Sequence, residues 1–228
     1  MHRPLPILVM IALGVLGVGT ALVLPGCMAA FGAASAIGKA IEEEGSHKVY
    51  GEYGGLKGKS FAVIISADRV IQGNDPRAVS RLTNAIIRKM VSAEAQIGAV
   101  GFVPGAKVLA MQYNKPSWTT WNYGKIADEF GVERLIFVDL YEYRLNEPGN
   151  AYLWVGQITG KVGVVEADGS NPDEFVFTKE IRVGFPDKTG VSTRDMPKEA
   201  VQANLEDRYS SRVAWLFFDH DEPNTIKY

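Results

Sequence analysis

One cysteine and three histidines in 228 residues leave little from which to build a reactive centre. The lone thiol excludes an intrachain disulfide framework and any cluster of thiolate metal ligands. No charge of one sign dominates either: 24 basic against 26 acidic side chains give a formal net charge of -2, which removes the electrostatic case for a nucleic-acid partner. With 46% hydrophobic and 22% charged residues the composition is that of one globular domain, at most two. What the chain does have is an uneven placement of apolar residues. Residues 5–24 carry no charge and a single hydroxyl, Thr20.

That apolar run follows the positive start Met1-His2-Arg3-Pro4 and closes with Leu24-Pro25-Gly26-Cys27, the order of a secretory signal peptide that ends on a small residue. The closing phrase resembles the lipobox of bacterial lipoproteins, in which Leu, a small residue and Gly or Ala precede the cysteine; Pro25 is the less common choice at its place. The resemblance implies removal of residues 1–26, acylation of Cys27 on its thiol and on its new amino group, and attachment to a membrane on the periplasmic side of the cell envelope. One acyl chain holds a protein only marginally, whereas several give a stable anchor at about 0.8 kcal/mol per buried CH₂. The competing expectation is an uncleaved single-span helix, since twenty apolar residues would cross roughly 30 Å of hydrocarbon. Gly14, Gly17, Gly19 and Pro25 argue against it. Cleavage leaves 228 less 26, or 202, residues and takes Arg3 away, so the mature chain carries a formal charge of -3. Met28 after the cysteine, in that family, favours the outer membrane over the inner.

Residues 27–59 read as a lipidated tether: an Ala/Gly-rich stretch, the acidic cluster Glu42-Glu43-Glu44 and a Gly-rich run from Gly51 to Gly58. An α/β domain is expected from residue 60 to the end. Phe61-Ala62-Val63-Ile64-Ile65 is a buried strand by its β-branched apolar run. Asn74-Asp75-Pro76 opens a helix to about residue 95 that buries Val79, Leu82, Ile86, Met90 and Ala93. Residues 98–103 read as a second strand, and 107–113 as a short helix or strand. A helix over 123–130 ends on Gly131 as a left-handed cap, and residues 135–143 form the next strand. Two long alternating segments, 152–166 and 175–185, flank the turn-rich 167–173 and form an antiparallel hairpin, with Phe175, Phe177, Ile181, Val183 and Phe185 all facing inward. A last helix runs from about residue 195 to 217, burying Val201, Leu205, Tyr209, Val213 and Leu216. The predicted fold class is α/β (α+β): a two-layer sandwich with a mixed sheet of four or five strands and three or four helices on one face.

Leu56-Lys57-Gly58-Lys59-Ser60-Phe61-Ala62-Val63-Ile64, the helix after it, Ile126-Ala127-Asp128-Glu129-Phe130-Gly131-Val132-Glu133-Arg134-Leu135-Ile136 and the hairpin that follows resemble the α/β domain of a group that includes the curli-pore lipoprotein CsgG, the penicillin-binding-protein activator LpoB and the amino-terminal domain of TolB. The resemblance covers about residues 56–218, with Gly131-Val132-Glu133 standing where that group has Gly-Ala-Asp. It implies an envelope protein that binds other proteins and uses the domain for no catalysis. A pore subunit in an oligomer is the alternative from the same group, although its pore needs membrane-spanning hairpins beyond the single long one here.

Catalytic chemistry finds little support. Of the histidines, His2 leaves with the signal peptide, His47 sits in the tether, and His220 lies in Asp219-His220-Asp221, where a solvated ring is expected. No catalytic residue and no metal ligand is assigned, and the only prosthetic group expected is the lipid on Cys27. Gly58-Lys59-Ser60 imitates the end of a phosphate-binding loop but precedes a strand and lacks the glycine five places earlier. Asp139 and Glu142, three apart on a strand, are expected to diverge. Two surfaces stay as candidates for binding an envelope protein: the stripe Arg77, Arg81, Arg88 on the outer face of the first long helix, and the aromatics Trp118 and Trp121, with Tyr123, which either cap the core or anchor an interface.

Overall fold

The computed structural model describes residues 45–224. The signal peptide, the motif Leu24, Pro25, Gly26, the lipidation site Cys27 and the first part of the tether lie outside the described residues. Among the described residues no helix is long and apolar enough to cross a membrane.

The chain runs β1 (Ser46–Val49), β2 (Ser60–Ala67), α1 (Arg69–Asn74), α2 (Ala78–Ser92), α3 (Glu94–Ile97), β3 (Gly101–Phe102), α4 (Gly105–Asn114), a 3₁₀ turn (Pro116–Thr120), α5 (Tyr123–Phe130), β4 (Arg134–Arg144), β5 (Gly156–Glu166), β6 (Phe175–Phe185), α6 (Lys198–Trp215) and β7 (His220–Pro223). Five strands form one mixed sheet in the order β3-β2-β4-β5-β6. β2 is parallel to β3 and β4, while β4, β5 and β6 are antiparallel neighbours. This is the expected α/β class with a mixed sheet, an antiparallel hairpin and a C-terminal helix.

Strand alternation sorts the core. Phe61, Val63 and Ile65 of β2 join Ile136, Val138, Ile158, Val162 and Val164 under α2 and α6. Ala62 and Ile64, with Leu135 and Val165, face the other way and meet Val108, Met111, Ile126 and Phe130 of α4 and α5. The two-layer arrangement therefore holds over most of β5 and β6, whose outer face carries Thr159, Lys161, Glu180 and Arg182 beyond the end where Val165 sits. Beside it, α4 and α5 cover the reverse face of β2 and the start of β4. α6 contributes Val201, Leu205, Tyr209 and Val213, each fully buried, the three aliphatic side chains each stabilising by about 2 kcal/mol. Leu216, also predicted, is buried just past the helix end. The hairpin's apolar face is likewise committed to this core through Ile158, Val162, Ile181 and Val183.

The helix expected over 76–95 is split at Ala93 into α2 and α3, and a separate α1 precedes it. Asp68 caps a short α1 by accepting from Ile71 N at 2.7 Å, Asp75 accepts from Arg77 N at 3.2 Å as α2 begins, and Gly98 ends α3 at φ 67°. Leu82, Ile86, Met90 and Ala93 are buried as predicted. The open segment 107–113 resolves as α4, and the strand at 98–103 shrinks to the two residues of β3. Gly131 takes the left-handed cap at φ 67°.

The tether expectation does not hold for residues 45–59. β1 pairs antiparallel with β7, from Ser46 opposite Pro223 to Val49 opposite His220. Tyr53 donates its N–H to Leu216 O at 2.9 Å, Leu56 is 1% exposed, and Gly58 turns the chain at φ 71°. Glycines in this stretch serve close packing: a Cβ on Gly51 would lie 2.8 Å from Phe218 N. The glycines of this stretch provide shape, through close approach at Gly51 and a positive φ at Gly58.

Candidate functional site

The arginine stripe does not form one surface. Arg77 and Arg88 are exposed, but Arg81 is turned into the junction of α2 and α6. Its Nε donates to both carboxylate oxygens of Glu206 at 3.0 Å, Nη2 donates to Glu206 Oε1 at 2.7 Å, and Nη1 donates to Asp75 Oδ1 at 3.1 Å. Tyr143 donates its hydroxyl to the same Glu206 oxygen at 2.5 Å, and Gln202 donates to Asp75 and Glu206 at 3.1 Å. Hydrogen bonding to Arg81 holds the Asp75 carboxyl below its ordinary range against the opposing effect of burial. Burial and the Glu206 carboxylate push the Tyr143 phenol up. A guanidinium answered by two carboxylates joins helices and is not free for a partner. The stripe expectation fails because the acidic partner Glu206 is 125 residues away in sequence.

The aromatic cluster is brought together, in an arrangement broader than the sequence indicated. The 3₁₀ turn opens with Pro116 and presents Trp118, and Asn122 caps α5 by accepting from Lys125 N at 3.0 Å. Trp118, Trp121 and Tyr123 are half-buried against the smaller core cluster. Lys125 Nζ lies 4.2 Å and Lys115 Nζ 5.7 Å from the centroid of the Trp121 ring, so this indole is flanked by cations. The Tyr123 ring centroid lies 4.8 Å from that of Phe137 and 5.0 Å from that of Phe175.

Phe175 reaches this face through a bulge. Val164 pairs with Phe177 and Val165 with Phe175, so Val176 is the extra residue and the two phenylalanines face opposite sides of the sheet. This corrects the expectation that Phe175 points inward beside Phe177. The ring lies over Gly163, which leaves room for it by having no side chain. The result is a cleft of about 320 Å³ lined by Ser66, Trp118, Thr119, Tyr123, Phe137, Asp139, Lys161, Gly163 and Phe175.

Aromatic walls and a polar floor define its chemistry. Ser66 donates its hydroxyl to Asp139 Oδ1 at 2.5 Å, and Lys161 stands opposite Asp139 in the register of β4 and β5. Burial, then the negative charges of Asp139 and Asp173, raise the Tyr123 phenol above its ordinary range. Among the described residues no histidine lines the cleft, and the Ser66 hydroxyl meets a carboxylate. A second bulge, at Tyr141, places Glu142 on the same face as Asp139, contrary to the expected divergence. The two carboxylates still serve different neighbours, because Glu142 accepts from Arg144 at 2.8 Å and Thr159 at 3.0 Å.

Two other sequence features settle differently. Lys59 of the rejected phosphate-loop imitation is held by Glu133 at 2.9 Å and Asp168 at 2.6 Å. His220, expected to be solvated, stacks on Trp215 with centroids 4.3 Å apart and an interplanar angle of 11°. Its side chain is 8% exposed, and it lines a polar cleft of about 660 Å³ with Lys48, Tyr53, Lys57 and Phe218. Among the described residues no group of three or more His, Cys, Asp or Glu could hold a metal ion. Sequence reasoning missed Phe137, Phe175, Asp139 and Lys161 as cleft residues. Alternation gives the face of Phe137, Asp139 and Lys161, but nothing local announces the bulge that adds Phe175.

No family model matches the sequence, and none of the curated proteins is significantly similar to it. Among solved structures the chain is similar to a PelC dodecamer from Paraburkholderia phytofirmans, with 10% identity over 76% of this chain and 97% of that one and a TM-score of 0.45. It is also similar to the lipoprotein GNA1162 from Neisseria meningitidis, with 10% identity, 67% and 96% coverage and a TM-score of 0.40. The LpoB C-terminal domain from Salmonella enterica matches at 9% identity, 64% and 91% coverage and a TM-score of 0.24. Likenesses this loose fix neither activity nor partner.

Proposed function

We propose that this chain is a lipid-anchored lipoprotein of the cell envelope with no catalytic activity of its own, whose α/β domain docks a partner protein and thereby assembles or regulates an envelope complex. The observation that carries the docking role is the aromatic cleft. Trp118, Tyr123, Phe137 and Phe175 surround a floor with one carboxylate and one ammonium, which suits an apolar anchor side chain with a polar neighbour. Tyr113, 87% exposed at the end of α4, adds an accessible aromatic near the Trp118 turn. The anchor rests on Leu24-Pro25-Gly26-Cys27, and the protein-binding role also draws on the likeness of residues 56–64 and 126–136 to the CsgG, LpoB and TolB group.

The anchor is tested by acyl labelling of full-length Cys27→Ala: loss of label and of membrane retention is expected, and undiminished labelling overturns it. Docking is tested with a photoreactive residue in place of Thr119, at the cleft rim, in native membranes. A discrete crosslinked species that disappears when Trp118→Ala is added is the expected result. A crosslinking pattern indifferent to Trp118→Ala removes the cleft from the function.

A further inference from the structure

β6 is an 11-residue edge strand, with β5 on one side and, among the described residues, no strand on the other. Among the described residues no backbone group outside β5 hydrogen-bonds to its backbone. The one side-chain bond to its outer backbone groups is at the far end, where Arg208 donates to Gly184 O at 3.1 Å. A long unpaired edge is a template for another strand and is normally short, bulged or covered. The bulge here sits at Val176, near one end, and leaves 177–185 regular.

The residues of that regular stretch select their own partner. Two copies related by a two-fold axis pair antiparallel, so residue i faces residue j with a constant sum, and each pair shares a face of the sheet. Placing the axis at Lys179, Glu180 or Arg182 sets two like charges directly opposite each other. With the axis at Ile181, Glu180 faces Arg182 twice on the polar side, while Ile181 meets Ile181 and Phe177 meets Phe185 on the helix side. Thr178 then faces Gly184, and Lys179, already paired with Glu52 at 2.9 Å, faces Val183. Glu180 and Arg182 are both exposed on that polar face, opposite Lys161 and Thr159 of β5.

We infer that β6 is a homodimer interface: two copies join edge to edge, antiparallel, in the register centred on Ile181, making one continuous ten-stranded sheet. The occupant is a second copy because the charge pattern of the strand is complementary to itself in this register.

The test uses the full-length lipoprotein in detergent micelles, with mass read by light scattering after size exclusion. Wild type is expected to be a dimer. Glu180→Arg and Arg182→Glu each set like charges opposite one another and raise the dissociation constant by at least about tenfold. Mixing the two single variants restores both ion pairs across the axis, so a heterodimer of one of each reforms, which also shows that neither variant is misfolded. On the otherwise wild-type edge, Thr178→Cys with Gly184→Cys gives a covalent dimer on mild oxidation. Six residues at about 3.3 Å each keep these two thiols apart within one strand. A monomeric wild type, indifference to either charge reversal, failure of the mixture, or absence of the covalent dimer overturns the proposal.

Discussion

Arg81 on α2 and Glu206 on α6 lock two helices together through three donor contacts, with Nε at 3.0 Å from both carboxylate oxygens and Nη2 at 2.7 Å from Oε1. Glu206 is 9% exposed, and Tyr143 and Gln202 also donate to its Oε1. Removing one member of such a pair leaves the other uncompensated. Because the Arg81 side chain is about a third exposed, Glu206→Ala is expected to cost roughly 2 kcal/mol, less than a fully buried pair would. Glu206→Gln, with its amide oxygen in the place of Oε1, keeps two of the three Arg81 contacts and is expected to cost less. Thermal denaturation measures both, and an unchanged melting temperature for Glu206→Ala removes the clamp from the account.

The same network sets an acid limit. Arg81's hydrogen bonds lower the Asp75 carboxyl below its ordinary 3.8, so the unfolded chain takes up a proton at a higher pH than the folded one. The stabilisation is complete above the unfolded value and drains away as pH falls through the folded value. The melting temperature is therefore expected to fall increasingly steeply from about pH 5 downward. Asp75→Asn, with no carboxyl to titrate, is expected to flatten that limb while lowering stability near neutrality. Parallel acid limbs for the two proteins refute the assignment.

Gly160, in the middle of β5, lies opposite Leu140 and Ile181 and under the fully buried ring of Tyr209. A Cβ there would stand 2.8 Å from Asp139 O and crowd the Tyr209 hydroxyl, so Gly160→Ala is expected to destabilise by about 1–3 kcal/mol. That hydroxyl is buried and has no hydrogen-bond partner among the described residues, and its burial pushes the phenol's pKa up. Tyr209→Phe is expected to be neutral or to stabilise by about 1 kcal/mol. Combined, the two changes should couple, the phenylalanine recovering part of the alanine's cost. Strict additivity in denaturant melts shows that the contact is not shared.

Where structure depends on neighbours a few residues away, the sequence was sufficient. The three- and four-residue spacing of Leu82, Ile86 and Met90 marked the buried face of α2, and Gly131 marked the end of α5. The limits of β6 followed from its flanking turn. What escaped depends on distant partners or on one inserted residue. Tyr53 and Leu56 look like tether until Leu216 O and the core receive them. Arg81 looks like part of a cationic stripe until Glu206 arrives from the far end of the chain. The aromatic cleft is half legible: Trp118, Trp121 and Tyr123 stand out as a cluster, whereas strict alternation puts Phe175 on the face of Phe177 because nothing local marks the bulge between them.

That bulge can be tested by deletion. Val176 has no partner on β5, since Phe177 lies opposite Val164 and Phe175 opposite Val165. Deleting Val176 leaves both pairings and both faces as they are, so a cost within about 1 kcal/mol is expected, as for a change away from core and network. Deleting Thr178 also absorbs the bulge, but it moves Phe177 opposite Gly163 on the cleft face and puts Val176 where the Phe177 ring meets Tyr53, 5.6 Å between centroids. The buried part of one phenylalanine is then lost from the helix side, and a cost of about 2 kcal/mol is expected. Phe175 keeps its pairing with Val165 in both variants, so a difference between their melting temperatures reports the exchange of Phe177 for Val176 on the helix side. Val176 deletion proving the more damaging of the two would mean that the bulge is needed for the strand itself and not only for aiming Phe175.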